Sequence, residues 1–128
     1  MLDSYAILAL LNDERGAAEV AELLRSAMER GQTLYINEIN VGEVYYIVAK
    51  HRSLGAAERV LDHLTTLPLE FVPNSYDDVL DAARVKAAHP LSYADAFAVS
   101  TARRLGAVLV TGDPEFTSVK DSVEVHWI

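Results

Sequence analysis

Apolar residues recur along the chain with two alternating periods, one helical and one extended. The helical period is clear over residues 17–30, where the apolar positions share one face and Gly31 follows as a stop. It predicts six helices, at 4–11, 17–30, 40–51 and 53–66, then one capped by Ser75 that stops before His89 and one capped by Ser92. Short β-branched runs predict strands at 33–36, 69–72, 107–110 and 123–127.

This order of elements predicts a single α/β domain over residues 1–128. Strands that are separated by helices cannot pair as hairpins, so the sheet should be parallel with helices on both of its faces. No linker, repeat or low-complexity stretch interrupts the pattern, and 128 residues are about one domain's length. In such folds the functional site lies at the carboxyl ends of the strands.

Composition narrows the choice of function. The formal charge of −8 argues against a generic basic surface for nucleic acid, because non-specific binding depends on lysine and arginine. The chain has no cysteine, no apolar run near the roughly 20 residues that span a bilayer, and no segment resembling a signal peptide. We therefore expect a soluble, cytoplasmic protein.

Four carboxylates stand in apolar surroundings, where a charge is costly. They are Asp3, Glu43, Asp95 and Asp113. Each lies where a strand hands over to a helix or in the first turn of a predicted helix, and so at one edge of the sheet. An unpaired buried charge costs several kcal/mol or becomes neutral, so a compensating partner is expected.

Each acid also has a purely structural interpretation. Asp3 can cap the first helix, and Asp113 can serve a turn or a cap before Pro114. Asp95 can complete a capping box with Ser92, and Glu43 can answer the positive end of its helix dipole. Taken together, however, four acids at one edge suit a hard divalent cation, and a two-metal site suits phosphodiester hydrolysis.

Longer motifs carry a resemblance to a known family. The segments LDSYAIL, NVGEVYYIVAK, LSYADAFAVSTARRLGAVLVTGDPEF and VEV resemble the PIN-domain family, and among its members most closely the VapC toxins of toxin–antitoxin pairs. The resemblance runs from end to end. It implies a parallel sheet of about five strands and a Mg²⁺- or Mn²⁺-dependent endoribonuclease that hydrolyses RNA with a metal-activated water. It also implies a homodimer that is inhibited by a separate VapB antitoxin chain.

The same resemblance assigns the site. The family's acids fall on Asp3, Glu43, Asp95 and Asp113, which would be the catalytic and metal-binding residues, with one or two metals left open. Its hydroxyl positions fall on Ser4 and Thr111, for which local capping is an equal alternative. Asn40 is a supporting residue that we interpret mainly as the N-cap of the Glu43 helix.

Two basic residues near the end of the Glu43 helix are the predicted RNA contacts. Lys50 and Arg52 would bind phosphates, although cations at a helix end also complement its dipole. Only Met1 and Leu2 precede Asp3, whereas family members carry more residues there, so the first strand is stunted or the native start lies upstream. The alternative to a nuclease is a catalytically inactive PIN-like binding or scaffold module.

Overall fold

Helices and strands alternate along the chain in the computed structural model, which describes residues 1–128. All six predicted helices and all four predicted strands are present, with one additional 3₁₀ helix near the end. The elements are α1 (Ser4–Asn12), α2 (Ala17–Glu29), β1 (Leu34–Asn37), α3 (Glu38–His51), α4 (Leu54–Leu64), β2 (Leu69–Val72), α5 (Tyr76–Ala88), α6 (Tyr93–Leu105), β3 (Leu109–Thr111), the 3₁₀ helix (Pro114–Val119) and β4 (Val125–Trp127).

Local capping chemistry explains most helix boundaries. Ser75 and Ser92 both form complete capping boxes, in which the serine side chain accepts from the third helical residue and that residue's carboxylate accepts from the serine N–H. Gly106 ends α6 with a φ of 59°, in the left-handed region that favours glycine. The predicted start of the third helix is wrong, whereas the other boundaries of the helices differ by at most two residues. Helix α3 begins at Glu38 with Asn37 as its cap, so Asn40 lies inside the helix.

The strands form two parallel pairs, β1 with β2 and β3 with β4, and not the five-stranded sheet that was predicted. Between the pairs lie Met1 and Leu2, which are too few residues to form a strand. Leu2 makes isolated parallel bridges to Ile36 of β1 and to Val110 of β3. The Leu2 N–H donates to the Tyr35 carbonyl at 2.7 Å, and the Val110 N–H donates to the Met1 carbonyl at 2.8 Å.

Apolar side chains pack on both faces of these strands. One cluster of 13 buried residues includes Phe97 of α6 and Phe116 of the 3₁₀ helix, and a second cluster of 13 includes Leu2 and Leu24 of α2. The second cluster also draws on α1, α3 and α4. Helices therefore cover both faces, as predicted, and the polar strand ends remain at an edge. No helix combines the length and the apolar character that a membrane span requires.

Candidate metal-binding edge

Asp3 follows Leu2 directly and is completely buried. It caps α1, because its Oδ1 accepts a hydrogen bond from the Ala6 N–H at 2.8 Å. Its second oxygen, Oδ2, is buried without any hydrogen-bond partner. The capping interpretation is therefore confirmed for one oxygen of this carboxylate, and the other is left free to bind a donor or a cation.

Burial raises the pKa of Asp3 to about 7. The nearby Thr111 hydroxyl, although it is not within hydrogen-bond geometry of Asp3, and the Ala6 N–H lower this pKa, whereas the carboxylates of Asp95 and Asp113 raise it further. Near neutral pH this group is therefore poised between its protonated and its charged form. A cation bound at Oδ2 would favour the charged form by the same electrostatics.

Asp95 is 8% exposed and lies in the first turn of α6. Its Oδ2 accepts from the Ser92 N–H at 3.3 Å, and its own N–H donates to Ser92 Oγ at 3.1 Å. The capping-box interpretation is thus confirmed. Burial raises the pKa of Asp95, and the nearby Glu43 and Asp113 raise it further.

Asp113 caps the 3₁₀ helix that follows β3. Its Oδ1 accepts from the Glu115 N–H at 2.9 Å, and its N–H donates to Thr111 Oγ1 at 3.0 Å. Between them Gly112 lies under the ring of Tyr5, so that a Cβ at this position would stand 2.8 Å from Tyr5 Cζ and 3.0 Å from the carbonyl oxygen of Ile128. The glycine lets the turn pass beneath this aromatic ring.

Glu43 is half-buried and stands five residues after the first residue of α3. Because it lies beyond the first turn, its interpretation as a partner of the helix dipole is wrong. The Tyr46 hydroxyl donates to Glu43 Oε1 at 3.3 Å. Among the four acids, Glu43 is the one that serves no helix cap.

Asn40 and Ser4 form a buried polar contact between α3 and α1. Asn40 Nδ2 donates to Ser4 Oγ at 3.1 Å and to the Ala94 carbonyl at 3.2 Å, and Ser4 Oγ donates to the Asn40 carbonyl at 3.3 Å. Asn40 Oδ1 is buried without a partner, as is Asp3 Oδ2. Asn40 therefore links α1 and α3 to Ala94, the residue that precedes Asp95. The sequence instead predicted that Asn40 is the N-cap of the helix that contains Glu43.

We refer to Asp3, Glu43, Asp95 and Asp113 as the acidic edge. Asp95 and Asp113 raise the pKa of Asp3, and Glu43 and Asp113 raise the pKa of Asp95, so the four carboxylates are linked through Asp95 and Asp113. No three acidic or histidine side chains stand close enough to enclose a metal ion together. The reason is local, since Asp3, Asp95 and Asp113 each hold a cap and Glu43 accepts from Tyr46. The shared metal centre therefore stays a prediction.

The donor set nevertheless fits a hard cation. All four acids offer carboxylate oxygens, and two buried oxygens, Asp3 Oδ2 and Asn40 Oδ1, make no hydrogen bond. Buried acceptors without partners are rare in proteins and call for an explanation. A divalent cation with its water ligands would satisfy Asp3 Oδ2 and would offset the repulsion among the carboxylates.

The predicted RNA contacts do not share the surroundings of the acidic edge. Lys50 is exposed near the end of α3. Arg52 donates to the Leu11 carbonyl at 3.3 Å and to Asn12 Oδ1 at 2.6 Å, at the C-terminal end of α1. These bonds support the helix-end role of Arg52, and phosphate binding by either residue stays a prediction.

Sequence reasoning missed Asn37, the residue that caps α3. It is completely buried, accepts from the Ile39 N–H at 2.8 Å and donates to Asn74 at 2.7 Å and Thr101 at 2.8 Å. These bonds join the end of β1 to the start of α5 and to α6. An asparagine directly after an apolar run was the available signal, and the second asparagine three residues later obscured it.

Comparison with known proteins extends this description. The sequence model of the PIN domain family matches residues 1–122. No functionally curated protein matches the sequence significantly.

Among solved structures, the chain is similar to VapBC2 of Rickettsia felis bound to a promoter DNA fragment, with 20% identity, a TM-score of 0.73 and coverage of 98% of this chain and 96% of that one. It is also similar to DNA-bound VapBC of Salmonella typhimurium, with 19% identity, a TM-score of 0.72 and coverage of 98% and 95%. For VapC20 of Mycobacterium tuberculosis, a toxin that cleaves the sarcin–ricin loop, identity is 15%, the TM-score 0.73 and coverage 92% of both chains.

Proposed function

Because the chain belongs to the PIN domain family, we propose that it is a metal-dependent endoribonuclease, the VapC-type toxin of a toxin–antitoxin pair. The observation that carries this proposal is Asp3, a completely buried carboxylate with one oxygen unpartnered and three other acids near it. A protein that used these acids only as caps would gain by replacing Asp3 with a neutral residue. Similarity in fold to VapC toxins supports the proposal.

We assign Asp3, Glu43, Asp95 and Asp113 as the ligands of Mg²⁺ or Mn²⁺. When bound, such a cation activates water and stabilises the leaving oxygen in phosphodiester hydrolysis. Asp3 Oδ1 stays on its cap while Oδ2 binds, so α1 fixes the position of this ligand. Asn40 and Ser4 hold α1, which Asp3 caps, against α3, which carries Glu43. Thr111 supports Asp113 by accepting its N–H.

The protonation state of Asp3 depends on its burial. With a pKa of about 7, this carboxyl group keeps a proton in a sizeable part of the molecules at neutral pH. Cation binding therefore releases that proton, and the affinity for the cation should rise with pH. The acidic edge would remain largely closed to metal in acidic solution.

The partners follow from the same proposal. Structures similar to this chain are toxin–antitoxin complexes, so a VapB-like antitoxin on a separate chain is the proposed inhibitor. An arginine of that antitoxin would pair with the acidic edge in a bidentate manner and take the place of the cation. We further propose a homodimer that acts in the cytoplasm on RNA.

Cleavage of end-labelled, structured RNA tests the proposal. The protein is incubated with Mn²⁺, with Mg²⁺ and with excess chelator, beside folded Asp95→Asn and the control Asp62→Asn, which replaces an exposed acid on α4. Metal-dependent cleavage that is lost only in Asp95→Asn supports it, as do 5′-phosphate and 3′-hydroxyl ends. Products with 2′,3′-cyclic phosphates contradict hydrolysis by water, since they require attack by the ribose hydroxyl.

One observation favours a second candidate, a PIN-like binding module without activity. Three of the four acids already serve helix caps, and no three of them enclose a metal site as they stand. This candidate predicts no cleavage under any condition and no heat of Mn²⁺ binding in calorimetry. Mn²⁺ binding by the parent protein, weakened in Asp3→Asn, would exclude it.

A further inference from the structure

A second charged feature lies away from the acidic edge, in the cleft between α5 and α6. This α5–α6 cleft has a volume of about 560 Å³ and is lined by Arg84, Arg103 and Arg104 together with Asp81, His89 and Ser100. Three of the chain's eleven lysine and arginine residues thus line one cleft, in a protein whose formal charge is −8. The lining itself carries three arginines against a single acid.

The guanidinium groups of the cleft retain free donors. Arg84 Nη1 pairs with Asp81 at 2.5 Å, and Arg104 Nε pairs with Asp78 at 2.9 Å. Arg103 donates to the Ser122 carbonyl at 3.2 Å and to the Ser122 hydroxyl. A guanidinium has five N–H donors, so these contacts leave most of them unused. The side chains of Arg84 and Arg104 are 71% and 43% exposed, and exposed ion pairs exchange partners at little cost.

Favourable interactions with helix dipoles do not explain the positions of all three arginines of the cleft. Arg103 and Arg104 lie in the last turn of α6, where a cation is favourable. Arg84 lies one turn earlier in α5, whose last turn already contains Lys86. Nothing in the dipole argument requires Arg84 to line the same cleft as the two arginines of α6. A shared anionic ligand would account for it, in addition to the pairing of Arg84 with Asp81 on α5.

Helix α6 contributes residues both to the cleft and to the acidic edge. Arg104 follows Asp95 by nine residues on α6, which is about 13 Å along the axis and half a turn around it, so the two side chains leave opposite faces of the helix. At its other end the cleft includes His89, three residues before Ser92, which caps Asp95. A strand whose phosphate reached the acidic edge could cross the loop after α5 and continue into the cleft.

We propose that the α5–α6 cleft binds backbone phosphates of an RNA strand, through Arg84, Arg103 and Arg104. This inference rests on the proposed function, because it names a second contact for the same substrate. It assigns to the cleft the phosphate binding that sequence reasoning assigned to Lys50 and Arg52. Arginine suits this role because its planar fork of donors matches phosphate oxygens.

RNA binding can be measured without cleavage. In chelator, fluorescence anisotropy of a labelled 12-nucleotide RNA compares the parent protein with Arg84→Gln/Arg104→Gln and with the control Arg30→Gln/Arg59→Gln. The control makes the same charge change at exposed positions on and beside other helices. We expect the cleft variant to bind at least about tenfold more weakly and to lower the salt slope by about 1.4, the value for two phosphate contacts with a single strand. The control should change affinity less than twofold.

Location is tested by a single cysteine, since the chain has none of its own. Ser100→Cys, in the cleft, and Ser118→Cys, on the 3₁₀ helix, are each labelled with the same photocrosslinker. RNA should crosslink at least about fivefold more strongly from position 100. Equal crosslinking from both positions, or a cleft variant that binds RNA as well as the control variant does, would overturn the inference.

The two proposals fail in different ways. Cleft-dependent RNA binding without metal-dependent cleavage leaves the cleft as an RNA site and defeats the nuclease. Metal-dependent cleavage with an unchanged KM in the cleft variant leaves the nuclease and defeats the cleft. A poly-glutamate peptide that binds as tightly as the RNA would mark the cleft as a protein-docking surface and would also overturn the inference.

Discussion

The acidic edge and the α5–α6 cleft differ in two respects: the edge is negatively charged and largely buried, whereas the cleft is positively charged and largely exposed. At the edge, Asp3 is completely buried and Asp95 is 8% exposed, whereas Arg84 and Arg104 in the cleft are 71% and 43% exposed. Burial shifts the pKa values of Asp3 and Asp95 upward, since charge is costly away from water. Substituting a buried charged residue should therefore alter both the chemistry of the site and the stability of the fold. Substituting an exposed charged residue should alter mainly the affinity for a charged partner.

The largest expected effect comes from removing charge at the buried edge. Asp3→Asn keeps a side chain that can cap α1 but loses a proposed metal ligand, so Mn²⁺-dependent cleavage should fall at least about 100-fold. Unfolding of the metal-free variant in urea should show no loss of stability at pH 8, because a buried carboxylate has been removed. Cleavage at the parent rate would contradict its assignment as a ligand.

Packing at the end of β3 gives the next effect. Gly112→Ala forces a Cβ against the Tyr5 ring and the Ile128 carbonyl oxygen, and should cost about 1–3 kcal/mol of unfolding free energy. Gly42→Ala is the matched control, because a Cβ there meets no atom within 4 Å and the helix gains about 0.5–1 kcal/mol. Urea denaturation measures both variants. Equal stabilities would mean that Tyr5 does not cover this turn.

Asn40→Ala tests the polar contact between α1 and α3. It removes the donor to the buried Ser4 Oγ and leaves the half-buried Ala94 carbonyl without that hydrogen bond, which should cost about 1–3 kcal/mol. We also expect slower cleavage, because Asp3 and Glu43 lose their common support. A variant as stable as the parent in urea would show that this contact is dispensable.

The pH dependence of stability separates the two regions without any change of sequence. Asp3 has a folded pKa of about 7, above its usual 3.8, so between pH 4 and 6 the folded state holds a proton that the unfolded state releases. Stability of the metal-free protein should therefore fall as pH rises, by up to about 1.4 kcal/mol per unit. The raised pKa of Asp95 acts in the same direction.

Above pH 6 the Met1 amine has the opposite effect, because burial lowers its pKa from 8.0 to about 6. The unfolded state then holds a proton that the folded state has released, so stability rises with pH. The measurement is therefore a series of urea midpoints between pH 4 and 6 in chelator. Asp3→Asn should flatten the series. An equal slope in the variant would assign the pH dependence to other groups.

The smallest effect is expected in the cleft. Arg84→Gln/Arg104→Gln removes one exposed ion pair and one pair whose acid, Asp78, is 17% exposed, and should change the free energy of unfolding by less than about 1 kcal/mol. Thermal and urea unfolding would check this value. A loss of several kcal/mol would instead make the arginines structural and would remove the contrast between the two regions.

Local signals in the sequence predicted the secondary structure well. Ser75 and Ser92 each stand three residues before an aspartate and an apolar run, and both form capping boxes. Strand β2 lies at the predicted residues 69–72, because proline and polar residues bound a short apolar run. Such signals act within a few residues of the backbone, so they can be identified without knowledge of the fold.

The sheet and the polar interior could not be predicted in the same way. Asn37 and Asn40 are equally good caps in isolation, and β1 decides between them by ending at Asn37. Pairing through Leu2 in place of a fifth strand depends on how Tyr35 and Val110 are positioned beside it. These outcomes follow from contacts between residues that are distant along the chain.

By itself the sequence determined which residues carry charge, which backbone positions begin and end helices, and that the acids stand among apolar neighbours. Only the tertiary structure decided that Asp3 keeps one oxygen unpartnered, that Asn40 supports it from α3, and that three arginines from two helices line one cleft. The physical reason is that capping bonds form between near neighbours in the chain, whereas burial and electrostatic coupling arise only when distant segments pack together.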